Sequence, residues 1–411
     1  MPAHISGRTR GAAVWAAIGL GFSIPFTIAL NNLLLAITLI AWLMSWNAPG
    51  RLSGFSHPVG RVALLLFALL VLGALHGTAT FAGAGLHLRK YADLLWVPVL
   101  LSLFCAPAWR TRAIQALALS LVVILMLSCL VRLGLPFPLP SFQGHAGYPV
   151  IFKERVTHNI LMAFAVYLFA WLALTAASRR AAWCWMVAAV LAFLNVLVMV
   201  PGATGYVILG ALLLFFGYRC LGWRGLAGAT LALSLCVAAL ITVPNPFHER
   251  VSKIVGELEA WRIDQPAQSS PALRLEFYRT TLSIIADHPV TGVGTGGFAD
   301  AYAEKVKGTA RTPTQNPHNE FLLMWAQLGI AGLAALVWLF WRQWRLAARL
   351  PTRLEQELAY GLVITMVIGC MLNSLLLDHT EGLFYAWLTG VLYGGLKSAD
   401  ADEGARDKAP A

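Results

Sequence analysis

Residues 314–341 read TQNPHNEFLLMWAQLGIAGLAALVWLFW. A polar, proline-broken approach gives way at Phe321 to a run with no charged side chain before Arg342. Its length matches the ~20 residues a helix needs to cross the hydrocarbon core of a bilayer. The run is continuously apolar and lacks the alternation of a lipid-facing strand, so it predicts a spanning helix and not a barrel wall. His318, Asn319 and Glu320 would then lie at the mouth of that helix, at the membrane surface.

Comparable runs fill the rest of the chain. Hydrophobic residues make up 58% of the 411 and charged residues only 12%, about half the charge of a soluble domain. The mean hydropathy is +0.69. The spacing predicts about twelve helices, near 12–28, 30–46, 60–76, 88–105, 112–133, 157–177, 182–200, 203–219, 225–243, 319–341, 356–377 and 381–397. Pro25 and Asn31-Asn32 supply the break between the first two. The first run follows Arg8 and Arg10 but continues into apolar sequence without a small-residue cleavage site, so it reads as a retained span. The expected fold class is an all-α integral membrane protein with one large helical outer loop. Its expected divisions are 1–243, spans one to nine; 244–318, the loop domain; 319–397, the last three spans; and 398–411, a disordered cytoplasmic tail.

Charge supplies the sidedness. A net charge of +11 would point a soluble protein toward nucleic acid; in a membrane protein the positive-inside rule explains most of it, and no nucleic-acid partner is expected. With both termini cytoplasmic, Arg51, Arg61, Arg110, Arg112, Arg179, Arg180, Arg219, Arg224, Arg342, Arg345, Arg349 and Arg353 fall inside, with Lys397, Arg406 and Lys408 beyond the last span. Several cations break the rule. Arg89-Lys90, Arg132 and Lys153-Glu154-Arg155 stand at outer helix ends, where they either serve a function or reach lipid headgroups. Eight more, Arg250, Lys253, Arg262, Arg274, Arg279, Lys305, Lys307 and Arg311, lie in the loop 244–318, where acidic residues roughly balance them. Much of that loop charge reads as solvated helix surface.

Within the loop, helices are expected from about 248 to 262 and 271 to 287, the second opened by Pro271 and closed near His288-Pro289. Gly292-Val293-Gly294-Thr295-Gly296-Gly297 formally matches a dinucleotide fingerprint, but no strand precedes it. It reads as a tight turn that lets backbone approach a neighbour. Asp400-Ala401-Asp402 resembles a metal-binding sugar-transferase signature, yet it stands in the short charged tail on the other side. No hard-metal carboxylate cluster, CxxC, HExxH, P-loop or GxSxG is present, so no metal or cofactor is expected. The six cysteines fall within or beside spans and read as buried, inert thiols.

His318 is the sharpest chemical candidate. At the start of a helix the positive dipole end disfavours an imidazolium, leaving a ring that can take a proton from a sugar hydroxyl; the plain alternative is a capping histidine. Arg274 and Tyr278 are four apart and share a helix face, and a guanidinium fork suits two phosphate oxygens. Arg155 and His158 stand one turn apart at another outer helix entrance, Arg89 and Lys90 at a third, and Arg279 points away from Arg274. All five are candidate diphosphate contacts. Together these cations suit a lipid-linked diphosphate sugar, whose departing diphosphate they would stabilise without a metal.

The stretch Arg274-Leu275-Glu276-Phe277-Tyr278-Arg279, His288-Pro289, Gly292-Val293-Gly294, Phe298, His318-Asn319-Glu320-Phe321 and Gly329-Ile330-Ala331-Gly332 resembles the O-antigen ligase and polymerase (Wzy-C) superfamily. Arg155-Val156-Thr157-His158-Asn159 is similar to a segment of the ligases. The resemblance implies a GT-C-like architecture in a Gram-negative inner membrane, with a periplasmic active site. It implies inverting, metal-independent transfer of O-antigen from undecaprenyl diphosphate to a lipid A-core sugar. His318 would be the base, Arg274 a diphosphate contact, and Asn319 and Glu320 would orient His318. Relatives often carry arginine where this chain reads Gly202-Ala203-Thr204-Gly205-Tyr206, so Ala203 removes one expected member of the cation cluster. An O-antigen polymerase or a protein O-oligosaccharyltransferase is the nearest rival. A flippase would place charge in mid-span, and the spans carry almost none.

Overall fold

Ser23 and Asn31 show how the first two helices are fixed: the Ser23 hydroxyl donates to Asn31 Oδ1 (2.7 Å) across the break at 24–27. The computed structural model describes residues 2–135, 144–260 and 269–396. Arg262, Lys397, Arg406, Lys408, Asp400-Ala401-Asp402 and the expected tail 398–411 lie outside the described residues. The described elements are helical, with one isolated β-bridge, His145 to Tyr148. In chain order they are α1 (Pro2–Ser23), α2 (Ile28–Met44), α3 (Ser53–Ser56), α4 (Pro58–His76), α5 (Phe81–Lys90), a 3-10 turn (Ala92–Leu95) leading into α6 (Trp96–Leu103), and α7 (Pro107–Arg132). Then come α8 (Arg155–Leu174), α9 (Arg179–Leu194) with a π turn (Asn195–Met199), α10 (Ala203–Thr242), α11 (Pro246–Ala260), α12 (Ser270–Asp287) and α13 (Phe298–Val306). α14 (Glu320–Ala347), α15 (Arg353–Leu372) and α16 (His379–Tyr393) follow.

The described helices follow the expected apolar segments, except that 88–105 is divided among the end of α5, the 3-10 turn and α6, and that α15 stops at Leu372, short of 377. By length and composition, 7 of the described helices are able to cross a membrane, and Ile28–Met44 and Ala92–Leu103 are shorter apolar ones. α10 holds two expected segments, because the helix breaks at Leu221 and Gly222 (φ 60°). The halves fold back so tightly that a Cβ on Gly217 would stand 2.6 Å from the Gly225 carbonyl. α16 is the inner member of the bundle: every residue from Thr380 to Tyr393 is buried. Its tryptophan, Trp387, donates to the Ala17 carbonyl of α1 (2.7 Å).

The ends are set by local chemistry. Thr352 and Glu355 form a reciprocal capping box at α15. The Asn245 side chain accepts from the amides of Phe247 (2.9 Å) and His248 (3.1 Å) and opens α11. Ser269 caps α12, with Pro271 in its first turn. At one end of α15, Glu355 meets Arg110 (2.6 Å) and Glu357 meets Arg219 (2.7 Å). The other end, Asn373, lies roughly 25 Å away along the helix at 1.5 Å per residue.

The glycine-rich turn is a clamp on α14. Its Val293 and Gly294 amides donate to the carbonyls of Ala326 (2.8 Å) and Gln327 (2.9 Å), just where α14 unwinds at Gly329 (φ 65°). The Thr295 hydroxyl reaches the Leu70 carbonyl of α4 (2.7 Å). A Cβ on Gly294 (φ 83°) would fall 2.0 Å from Gly77 Cα, so only glycine fits this crossing. The broken helix thus has its freed carbonyls satisfied by protein, as irregular backbone in a membrane protein requires.

Candidate functional site

Asn319 caps α14, accepting from the Leu322 amide (3.1 Å), and this fixes His318 just outside the helix. His318 has φ 55°, the only positive φ outside glycine among the described residues. Such a conformation costs about 1–2 kcal/mol and persists only where the surroundings enforce it. They do so here. The His318 amide donates to Asn316 Oδ1 (2.8 Å), which also accepts from the Ser374 hydroxyl (2.7 Å). The His318 carbonyl accepts from the Tyr278 hydroxyl (3.1 Å), and the Phe277 ring stacks on the imidazole at 6.0 Å. Nδ1 lies 2.8 Å from Asn373 Oδ1. An amide oxygen only accepts, so Nδ1 carries the proton and Nε2 presents its lone pair.

The turn that holds Phe277 and Tyr278 also carries Arg274, half-buried on α12. Burial lowers the Arg274 pKa first; Tyr278 opposes this, and Arg250 and Arg155 lower it further. Three arginines from α8, α11 and α12 therefore share one field. None of them joins an ion pair among the described residues. Asn159, one turn beyond Arg155, lies against Gly202: a Cβ there would be 2.6 Å from Asn159 Nδ2 and 3.8 Å from Arg155 Cγ. Ala203 opens α10 beside this contact.

A cavity of about 920 Å³ opens among α2, α5, α6, α13 and the 377–379 turn. Apolar Ile28, Leu35 and Trp96 face it together with Arg89, Lys90, Asp300 and Asn316. Asp378 stands in its wall. Enclosure raises the Asp378 carboxyl, and Lys90 and then His318 pull it back toward ionisation. His379 Nδ1 meets the buried Asp93 carboxylate (2.9 Å) in the same wall. Lys90 and His318 thus both act on Asp378, and Tyr278 on the Arg274 helix bonds the His318 carbonyl, but His318, Arg155 and Arg274 do not line this cavity.

Other expected contacts go elsewhere. His158 is buried, with Nε2 2.9 Å from Asn195 Oδ1, and Asn195 donates on to the Ser128 hydroxyl (2.7 Å). It belongs to the packing of α7, α8 and the π turn, because that turn lowers Asn195 onto the helix interior; the expected diphosphate contact is replaced by a core network. Arg279 is exposed on the far face of α12 and touches none of these groups. Glu320 does not orient the imidazole either. Its Oε1 accepts from the Tyr91 hydroxyl (2.6 Å) and its Oε2 from the Leu376 amide (2.9 Å), so it ties α14 to α5 and to the strap after α15. Asn319 is spent on the cap and on the Met371 carbonyl (3.0 Å). Asn373, Asn316, Asp378 and Arg250 were not singled out by sequence. All but Asn316 meet the site through partners distant in the chain, which no local spacing reveals. Among the described residues, no three His, Cys, Asp or Glu side chains gather in a metal-binding arrangement.

The model of the O-Antigen ligase family matches residues 188–337, a stretch that contains Arg250, Arg274 and His318 and leaves Lys90 and Arg155 outside. No curated protein matches the chain. A chain in the solved structure of a peptidoglycan synthase complex, reported for its coordination of polymerization and crosslinking, is similar at 17% identity. That likeness covers 82% of this chain and 96% of that one, with a TM-score of 0.46. Residues 188–337 of this integral membrane protein thus resemble the O-antigen ligase family.

Proposed function

We propose that the protein is an O-antigen ligase. It transfers O-antigen glycan from undecaprenyl diphosphate to a sugar of lipid A-core, at the periplasmic face of a Gram-negative inner membrane. In this reading both termini are cytoplasmic, and residues 244–318 form the periplasmic domain over the site. The observation that carries it is the His318 ring, held through Nδ1 by Asn373 (2.8 Å), near arginines that join no ion pair among the described residues.

The acceptor hydroxyl gives its proton to His318 Nε2 as its oxygen attacks the anomeric carbon from the face opposite the diphosphate. The carbon–oxygen bond to the diphosphate breaks, and its electron pair stays on the diphosphate. Negative charge therefore grows on the leaving group as the bond lengthens, and Arg274 and Arg155 stabilise it most at that moment. The imidazolium proton then passes to solvent or to the departing phosphate. Lys90 and Arg89, at the wall of the cavity, are the diphosphate contacts on that side of the site.

In proteoliposomes given undecaprenyl-diphosphate glycan, His318→Ala is expected to lower transfer by about 10²–10⁴-fold while protein recovery stays normal. Unimpaired transfer by this variant would remove the base. Lipid A-core, lipid-linked glycan and a pilin-like protein, supplied separately, test the acceptor. Modification of lipid A-core supports ligation, and exclusive modification of either alternative overturns it.

A further inference from the structure

Arg250 is a cation whose surroundings do not account for it. It stands on α11, one turn beyond Phe247, and residues three apart share a helix side. Phe247 is buried against Tyr206 of α10, with ring centres 4.9 Å apart. That seat brings Arg250 to the first turn of α10, where it and Arg155 both act on Tyr206, while α11 also packs on α12, which carries Arg274.

The contacts left open at this junction are polar. Arg250 Nε is buried with no hydrogen-bond partner among the described residues. Asn159 Nδ2 and Oδ1, a turn from Arg155, are likewise buried without a partner among the described residues. An unsatisfied buried donor costs about 1–3 kcal/mol, and more when it is charged. Nearby cations add mutual repulsion to this. By contrast Lys253, the next basic residue on the same helix, is exposed and lies 3.9 Å from Glu257. The pattern fits an anion with several acceptor oxygens that enters the junction and takes the free N–H groups.

We propose that Arg250 is a further phosphate ligand, and that Arg155, Arg250 and Arg274 together enclose the diphosphate of the lipid-linked donor. This rests on the transfer reading above and deepens it. Arg250 approaches from the helix that closes over the entrance of α10, so it completes the third side of a cradle whose other sides are α8 and α12. A diphosphate is longer and carries more charge and more acceptor oxygens than a monophosphate, so a third guanidinium finds more to hold on it. The third arginine therefore selects for the diphosphate over the monophosphate carrier.

The test uses the full chain in nanodiscs, with undecaprenyl diphosphate and undecaprenyl monophosphate as probes, and Arg250→Ala, Arg250→Lys, Arg274→Ala and Lys253→Ala as variants. Arg250→Ala is expected to weaken diphosphate binding about tenfold and to change monophosphate binding much less. Arg250→Lys should fall between, and Lys253→Ala should bind as the parent does. Diphosphate binding unchanged in Arg250→Ala but lost in Arg274→Ala overturns this inference and leaves the transfer reading standing. Unchanged binding in both sinks the two together. Should Arg250→Ala not fold, a second measurement needs no substitution: phenylglyoxal modification of Arg250 in the parent, read by mass spectrometry. Protection by undecaprenyl diphosphate is expected, and equal modification with and without it overturns the proposal.

Discussion

Replacing Asn373 separates the chemistry of His318 from its place in the fold. The side chain holds the imidazole through one contact, Nδ1 to Oδ1 at 2.8 Å, while the backbone of His318 is held separately by Asn316 and Tyr278. Asn373→Ala removes the one acceptor for Nδ1–H, so the ring divides between tautomers, and the form with Nε2–H cannot accept a proton. A neutral hydrogen bond of this kind is worth about 1–1.5 kcal/mol net. If all of that is felt in the transition state, kcat falls roughly five- to twelvefold, far less than for loss of the ring. Donor KM should hold, because Arg155 and Arg274 are untouched. Asn373→Asp supplies the discriminating readout. A carboxylate against Nδ1 favours the imidazolium, so the acid limb of the pH–rate profile moves to higher pH. The assay is initial-rate glycan transfer to lipid A-core across pH, with thermal melting as the folding control. Asn373→Ala within twofold of the parent, together with an unmoved acid limb in Asn373→Asp, would refute the positioning of the base by Asn373.

Three further outcomes are expected. Glu320→Ala strands two buried donors, the Tyr91 hydroxyl and the Leu376 amide, and should cost roughly 2–6 kcal/mol of stability; thermal melting checks it, with Glu320→Gln closer to the parent. Arg110 is 1% exposed and bonds Glu355 and the Cys105 carbonyl, so Arg110→Met should destabilise by about 3–5 kcal/mol and leave kcat per folded molecule unchanged. Ala203→Arg places a guanidinium at the start of α10 beside Arg155, and should raise the rate of transfer or tighten donor binding several-fold; no change in either measured constant counts against a cation cluster at that entrance.

What the sequence discloses here depends on distance along the chain. Apolar runs read well because burial in lipid is a property of each segment alone. The break near Pro25 and the reversal between 219 and 225 were also legible, since proline and glycine act locally. The polar start of α14 marked the place of His318 for the same reason. Glu320 shows where this stops. It sits beside His318 in sequence, yet its carboxylate is spent on Tyr91 and Leu376. His158 shares a helix side with Arg155 by spacing alone, but Asn195, brought over by a π turn, takes it inward. Arg250 carried no mark among the balanced charges of its loop. Only the seating of Phe247 on Tyr206 decides that it faces Arg274's field and not water.

The cations themselves divide by what opposes them. Arg110 and Arg219, at one end of α15, each have a buried carboxylate within 2.7 Å. Lys305 and Lys307 in the loop lie against Asp287 and Glu304, pairs that are exposed and worth little. Near His318, Arg155, Arg250 and Arg274 join no ion pair among the described residues. A chain able to furnish Glu355 and Glu357 for two arginines has the means to neutralise Arg155 and Arg274 in the same way. Doing so would fill the forks and leave a carrier diphosphate to compete with an internal anion. Leaving them open costs stability in the empty protein, through repulsion and desolvation. The same openness makes binding stronger where negative charge is greatest, on the departing diphosphate. Stability given up at one end of α15, and secured by the ion pairs at the other, is the physical form this site would take if anion binding shaped it.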